Sequence, residues 1–118
     1  GRIWVSSPEV TVLDLVESPR QGGGLYNVAN VVGELLENGR LNTNALSLAA
    51  VAYPTVVAQR TGYLLDFMSR AVETTFDTEP LRQTIDDARY RELSPGAGDG
   101  DRDGRWHVIV NAEIEHDL

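Results

Sequence analysis

The chain of 118 residues contains no cysteine and no lysine. Without cysteine it has no disulfide bond, no thiol nucleophile and no thiolate ligand for a metal, which is typical of a protein from a reducing compartment. Without lysine it lacks the usual lysine contact of a phosphate-binding loop. A Gly-x-Ser-x-Gly elbow is also missing, so the sequence offers no recognisable setting for a serine nucleophile.

Long hydrophobic runs are missing as well. A membrane-spanning helix needs about 20 predominantly apolar residues, and the richest stretch is interrupted by Tyr53, Pro54, Gln59 and Arg60. We therefore expect a soluble domain with a cytoplasmic location and no contact with a membrane. The length is that of one domain, to which we assign residues 1–118.

Positive charge is scarce, because ten arginines stand against 18 acidic residues and the net charge is −8. Nonspecific affinity for nucleic acid depends on cations that replace condensed counterions. We therefore expect no nucleic-acid binding by this domain alone. The acidic balance leaves two interpretations open: a surface that only favours solubility, or a face that binds a basic partner.

The first residues resemble neither a signal peptide nor a complete amino terminus. No methionine opens the chain, and Gly1 and Arg2 run directly into the apolar Ile3, Trp4 and Val5. Positively charged and apolar regions in the order of a secretion signal are not present. We expect the domain to belong to a longer protein whose preceding part is not included in this chain.

Helix signals are the strongest local pattern. A serine before Pro8 provides an N-cap, and Pro8 takes the first helical position. Residues 25–36 place Leu, Val and Ala on one stripe, and an Asn-Gly pair at 38–39 follows as a C-terminal cap. These patterns predict four to five helices, over about residues 8–18, 25–37, 43–52, 54–70 and 80–89.

Two segments favour strands. Residues 2–5 are short and apolar, and residues 106–115 alternate between apolar and polar side chains, with Ile109 as the exception on the polar face. Residues 94–104 are rich in glycine and aspartate and predict an exposed loop. Because one strand is not stable alone, we expect the two segments to pair. The predicted fold is α+β, with four to five helices packed on a small antiparallel sheet that includes the N-terminal and C-terminal strands.

Three local patterns resemble ligand sites but lack a full set of groups. Residues 99–104 follow the first half of an EF-hand calcium loop, but the twelfth position, which should be glutamate, is Val110. His107 and His116 have no further imidazole to complete a metal site. Gly-rich residues 22–24 lack the spacing of a dinucleotide or phosphate loop. We predict no catalytic residue, no cofactor and no metal site, and hence no enzymatic activity.

Four segments together resemble one protein family. They read Ser-Ser-Pro-Glu-Val-Thr-Val-Leu-Asp-Leu-Val at residues 6–16, Gly-Gly-Leu-Tyr-Asn-Val-Ala at residues 23–29, Gln-Arg-Thr-Gly-Tyr-Leu-Leu at residues 59–65 and Trp-His-Val-Ile-Val-Asn from residue 106. In order and composition they resemble the C-terminal domain of the AbiEi-family antitoxins, transcriptional regulators of type IV toxin–antitoxin systems. The chain departs from the family pattern at Ser7, where threonine is commoner, and at His107, which replaces arginine.

The resemblance implies a function carried by binding. In that family an N-terminal winged helix binds operator DNA, and this chain has no such module. The C-terminal domain is associated with neutralising a nucleotidyltransferase-like toxin of the AbiEii type and with supporting autoregulation by the full-length regulator, although direct binding of the toxin is not general. Two alternatives stay open: an oligomerisation or effector domain of a DNA-binding repressor, which would form a homodimer, and an enzyme acting on a small substrate.

Polar side chains in the resembling segments are the candidate interaction residues, because packing explains the apolar ones. The candidates are Gln59, Arg60, Asn27, Glu9, Asp14 and Asn111. Three of them have internal alternatives: Glu9 complements the dipole of its helix, Asn27 caps a helix, and Arg60 pairs with Asp14 or Glu17.

Overall fold

The computed structural model describes residues 7–20 and 23–114. Within these ranges the chain forms five helices and one three-stranded sheet. The predicted α+β fold class is therefore confirmed. The strand predicted at residues 2–5, together with its pairing to the C-terminal strand, lies outside the described residues.

The first helix begins where the sequence predicts. α1 spans Pro8–Glu17, and Ser7 Oγ accepts a hydrogen bond from the Val10 amide at 3.1 Å. This bond satisfies one of the amide groups that a helix start leaves unpaired. The apolar side of α1 is buried in the core and comprises Val12, Leu13 and Val16.

The second and third helices are separated by a short capped turn. α2 spans Leu25–Glu37, and α3 spans Thr43–Ala50. Gly39 follows α2 at φ +62°, a conformation that glycine adopts without the steric cost of a Cβ atom. Asn42 Oδ1 then accepts a hydrogen bond from the Ala45 amide at 2.8 Å and caps α3. The predicted helices are confirmed here, with α3 ending slightly earlier than expected.

The fourth helix lies at the centre of the fold. α4 spans Thr55–Ala71 and packs against all three preceding helices. Its buried residues occupy more than one narrow stripe, since Val57, Ala58, Gln59, Thr61, Gly62, Leu64, Leu65 and Met68 are all inaccessible. A helix contacted from several sides loses the usual division into one apolar and one polar face.

The fifth helix is shorter than predicted. α5 spans Glu79–Gln83, whereas the sequence pattern predicts a helix over residues 80–89. Leu81 and Ile85 are buried, so the apolar side is as expected. Turns replace the helix after Gln83, and Asp87 adopts φ +64°, a left-handed conformation that a helix cannot continue through.

The sheet is small and mixed. It contains β1 (Arg91–Glu92), β2 (Asp101–Asp103) and β3 (Val108–Val110) in the order β1-β3-β2. β1 runs parallel to β3, and β2 runs antiparallel to it. The expectation of a purely antiparallel sheet is therefore corrected. β2 also lies inside residues 94–104, the segment predicted as a loop, because pairing with β3 gives this polar segment a strand conformation that its own composition does not favour.

A turn explains why the last strand is shorter than the predicted residues 106–115. Asp103 Oδ2 accepts a hydrogen bond from the Trp106 amide at 2.8 Å, and His107 adopts φ +51°. A residue with left-handed backbone does not continue a strand. Beyond β3, the Asn111 amide bonds back to the Ile109 carbonyl oxygen at 3.0 Å and ends the pairing.

None of the helices in the described ranges is long and apolar enough to cross a bilayer.

Trp106 connects the turn before β3 to the helices. Its side chain is 1% exposed and lies on Gly62 of α4, so closely that a Cβ atom at residue 62 would stand 2.2 Å from the indole ring. The indole Nε1 donates a hydrogen bond to Asp66 Oδ2 at 2.7 Å, one helical turn further along α4. Because Gly62 has no side chain, α4 leaves space there for Trp106, the largest fully buried side chain among the described residues.

We expect Gly62→Ala to destabilise the fold. The added methyl group overpacks against the buried indole, whereas alanine has the better helix propensity. Together these effects predict a net loss of about 1–2 kcal/mol in the free energy of unfolding. Urea denaturation monitored by tryptophan fluorescence measures this loss. The matched control is Gly104→Ala, whose added Cβ atom would lie 3.9 Å from the nearest heavy atom, Tyr90 Oη, and should change stability by less than about 0.5 kcal/mol. Equal stability of the two variants would contradict the tight contact.

Candidate interaction site

Gln59 lies inside the protein and not on its surface. The residue is 1% exposed, and its Nε2 donates hydrogen bonds to the carbonyl oxygens of Arg89 at 2.7 Å and His107 at 3.1 Å, with Trp106 O at 3.3 Å. These carbonyl groups belong to the segment before β1 and to the turn before β3. Gln59 therefore links α4 to both neighbouring strands, and its burial leaves no surface for direct contact with a partner.

Arg60, the next residue of α4, reaches the surface. Its Nε donates a hydrogen bond to the Glu92 carbonyl oxygen at 2.8 Å, and the side chain is half-buried. Burial is the main factor that lowers the pKa of Arg60, and the charge of Arg91 adds to it, while Glu92 acts in the opposite direction. The alternative pairing of Arg60 with Asp14 or Glu17 is absent from the ion pairs among the described residues.

Glu9 and Asp14 lie on α1 in different environments. Glu9 is buried, and its Oε2 accepts a hydrogen bond from the Asn42 amide at 2.9 Å, which ties the start of α1 to the cap of α3. Asp14 is exposed, and its carboxylate accepts a hydrogen bond from the Tyr53 hydroxyl. Burial first, and then this hydrogen bond and the Asp14 charge, raise the pKa of Tyr53 to about 12. Of these two candidates, only Asp14 is accessible.

Asn27 and Asn111 also differ in exposure. Asn27 is exposed in the first turn of α2, which has no side-chain hydrogen bond at its cap, so the capping alternative is not found. Asn111 is half-buried and forms hydrogen bonds with the segment between β1 and β2. Its Oδ1 accepts from the Ser94 amide, and its Nδ2 donates to the carbonyl oxygens of Ser94 and Gly98, all at 2.9 Å. The role of Asn111 is therefore internal, like that of Gln59 and Glu9.

Arg60 faces a groove that the sequence did not predict. The groove has a volume of about 550 Å³ and lies between the end of α1, the start of α2 and the segment after β1. We call it the Arg60 groove, and its other lining residues are Glu17, Ser18, Pro19, Arg20, Gly24, Leu25, Leu93, Ser94 and Pro95. No local periodicity places residues 93–95 beside residues 17–25, because long-range contacts bring them there: β1 pairs with β3, and Gln59 and Arg60 of α4 bond to the backbone of residues 89 and 92.

The acidic segment at residues 99–104 forms one arm of a hairpin. Asp103 accepts the hydrogen bond from the Trp106 amide described above, and Asp99 lies 3.5 Å from Arg102. Across the described parts of the chain, no group of three or more His, Asp or Glu residues is close enough to hold a metal ion. Within the hairpin, Asp103 holds the turn before β3.

His107 is held by its neighbours. Its Nδ1 lies 2.6 Å from the Ala88 carbonyl oxygen, which accepts only, so Nδ1 carries a proton and donates. The imidazole ring stacks on Tyr90 with 4.8 Å between the ring centres. The side chain is therefore engaged within the fold.

The accessible candidates, Arg60, Asp14 and Asn27, all lie on the helices. Residues 1–67 match the family model described as AbiEi antitoxin C-terminal domain, and the chain belongs to this family. It is thus an antitoxin domain of a toxin–antitoxin system. The matched part contains α1, α2, α3 and most of α4, including Gln59 and Arg60, and it ends before Trp106. No curated protein and no solved structure matches the chain.

Replacement of Gln59 by leucine should destabilise the protein, because a side chain of similar size removes the side-chain donor to the Arg89 and Trp106 carbonyl oxygens. The His107 carbonyl oxygen keeps its hydrogen bond from the Arg91 amide. The expected loss is about 1–3 kcal/mol in the free energy of unfolding, measured as a lower urea midpoint. Gln83→Leu, at an exposed position of α5, is the matched control and should stay within about 0.5 kcal/mol of the original protein. A Gln59→Leu variant as stable as the control would show that the Arg89 and Trp106 carbonyl groups do not depend on Gln59.

The Asp14–Tyr53 contact predicts an abnormal tyrosine titration. Tyr53 should ionise near pH 12, and Asp14→Asn should lower its pKa while burial keeps it above 10.0. Because the folded state favours the protonated phenol, this contribution to stability is complete below about pH 10 and is lost as the pH rises through 12. The difference in tyrosinate absorbance between the protein and its Tyr53→Phe variant measures the pKa. Glu34→Gln, a control on exposed α2 surface, should leave it unchanged, and a Tyr53 pKa near 10 would contradict the contact.

Proposed function

We propose that this domain neutralises a nucleotidyltransferase-like toxin by acting through its surface, without catalysis of its own. Membership of the AbiEi antitoxin family carries this proposal, because it supplies the antitoxin role that the residues alone do not specify. We further propose that the domain is a single unit of a longer cytoplasmic regulator whose DNA-binding part supports autoregulation.

The distribution of polar side chains supports a binding function. Gln59, Glu9 and Asn111 are engaged in hydrogen bonds that hold the fold together, so three of the six candidate residues do not converge around a reacting bond. Arg60, Asp14 and Asn27 remain accessible to a partner. A catalytic site would instead require ionisable groups that face one another across a pocket.

The net charge supports a protein partner over nucleic acid. At −8 the domain repels a phosphate backbone, since cations supply most nonspecific affinity for DNA. Operator binding therefore belongs to another part of the proposed regulator. An acidic surface also accelerates association with a partner of opposite charge.

Co-expression with the nucleotidyltransferase-like toxin from the adjacent reading frame tests this function. We expect the domain to relieve the growth arrest that the toxin causes, and an affinity pull-down from the same cells to recover the toxin if neutralisation is by contact. Circular dichroism of the purified domain verifies that it is folded. Persistent growth arrest in the presence of folded, abundant domain would contradict the proposed function.

A further inference from the structure

Asn38 and Gly39 form a pair that is chemically reactive in peptides. The amide nitrogen of the residue after an asparagine attacks the side-chain carbonyl carbon, and glycine hinders this attack least because it has no side chain. The chain has six asparagines, and only Asn38 precedes a glycine, whereas the others precede valine, threonine or alanine. Both residues of the pair are exposed to water. The chain therefore has one preferred site for deamidation.

The reaction needs only water as a co-reactant. The Gly39 nitrogen loses its proton and bonds to Asn38 Cγ, and the side-chain nitrogen leaves as ammonia. Water then opens the resulting succinimide ring at either of its two carbonyl carbons. One opening gives aspartate, and the other gives isoaspartate, in which the main chain continues through the former side chain. Nothing is oxidised or reduced, and the product carries an additional negative charge at neutral pH.

The turn after α2 keeps the reacting atoms apart. Asn38 has a ψ of 2°, which places the Gly39 nitrogen beside the backbone nitrogen of Asn38 and away from its side chain. The Gly39 amide also donates a hydrogen bond to the Leu36 carbonyl oxygen at 3.2 Å. The Arg40 amide donates to the Leu35 carbonyl oxygen at 2.9 Å, which completes a Schellman motif. Attack on Asn38 Cγ therefore requires a rotation that breaks the hydrogen bond of Gly39.

Packing of Leu36 stabilises the same turn. Leu36 is 3% exposed, and with Gly39 and Phe76 it lines a cavity of about 140 Å³ between the end of α2 and the segment after α4. Local openings are rare where buried apolar contacts hold the backbone in place. Because the reaction needs an open turn, its rate falls in proportion to the population of open molecules.

We propose that Asn38 is a site of spontaneous deamidation whose rate is set by the opening of the turn at residues 38–40. The product weakens the end of α2, because the new carboxylate lies at the negative end of the helix dipole, in the same turn as Glu34 and Glu37. Isoaspartate also adds a carbon atom to the main chain and so shifts both hydrogen bonds of the turn. This inference does not depend on the antitoxin function.

Incubation of the chain in mildly alkaline buffer, with and without a denaturing concentration of urea, tests the proposal. Peptide mass spectrometry and chromatography follow aspartate and isoaspartate at residue 38, and Asn44, which is also exposed, is the internal control. We expect Asn38 to react before Asn44, and at least about tenfold more slowly in the folded protein than in urea. Equal rates with and without urea, or a faster reaction at Asn44 in urea, would overturn the proposal.

Two leucine variants test whether the turn controls the rate. Leu36→Ala removes the buried contact beside Gly39 and should accelerate the reaction of the folded protein at least about fivefold. Leu48→Ala, at a position that is 75% exposed, is the matched control and should react as the original protein does. An unchanged rate in folded Leu36→Ala would overturn the proposal.

Hydrogen exchange of the Gly39 amide keeps the test valid if Leu36→Ala does not fold. Exchange and deamidation both require the hydrogen bond to Leu36 to open, so the factor by which the fold slows exchange should agree with the factor for deamidation to within about tenfold. A strongly protected Gly39 amide together with an unslowed reaction at Asn38 would overturn the proposal.

Asn38→Asp reproduces the aspartate product. This variant should have a lower urea midpoint than the original protein, because its carboxylate lies at the C-terminal end of α2. Asn44→Asp is the matched control, since it makes the same change in the first turn of α3, where the helix dipole favours a carboxylate. Equal urea midpoints for the two variants would overturn the predicted effect of the product.

Discussion

The contact between Trp106 and Gly62 joins the two halves of this fold. The five helices precede the sheet, and the indole ring lies directly on the one position of α4 that has no side chain to displace it. A buried indole contributes a large apolar area but also needs a partner for its N–H group. Asp66 provides that partner, so one turn of α4 supplies both the space and the acceptor that fix the hairpin on the helices.

Asp66 also forms hydrogen bonds to the other segments that surround the Trp106–Gly62 contact. Its Oδ1 accepts from Thr78, beside the start of α5, and its Oδ2 accepts from Arg105 as well as from Trp106. Arg105 in turn reaches Glu79 at 3.3 Å and lies over the Trp106 ring. The carboxylate is partly shielded and accepts hydrogen bonds at both oxygens, which offsets the cost of burying this polar group. With the hairpin fixed, Gln59 can hold the segment before β1, and residues 93–95 after β1 line the Arg60 groove.

Local signals predicted the helices well, and the sheet poorly, for a physical reason. Helix caps and apolar stripes are properties of neighbouring residues, so the cap at Ser7 and the buried side of α2 follow from the sequence. Strands of two or three residues have no measurable period, and the alternation from residue 106 onwards does not reveal that His107 takes a left-handed conformation. Among the six candidates, the sequence identified polar positions correctly but not their exposure. The partners of Gln59 are backbone carbonyl groups at residues 89 and 107, which no side-chain pattern could indicate.

Gln59 and Arg60 are neighbours in α4 but lie in different environments, one buried and the other half-buried. Successive helix residues point about 100° apart, so a buried Gln59 on the strand side of α4 places Arg60 at the edge of the same interface. Arg60 Nε then bonds to β1 through the Glu92 carbonyl oxygen, and Arg60 lines the groove. The family match ends at residue 67, yet two residues inside it contact the later hairpin. Trp106 packs on Gly62, and the Gln59 side chain donates to the His107 carbonyl oxygen. The matched helices therefore depend on the later hairpin for their packing, and the position of Arg60 depends on it as well.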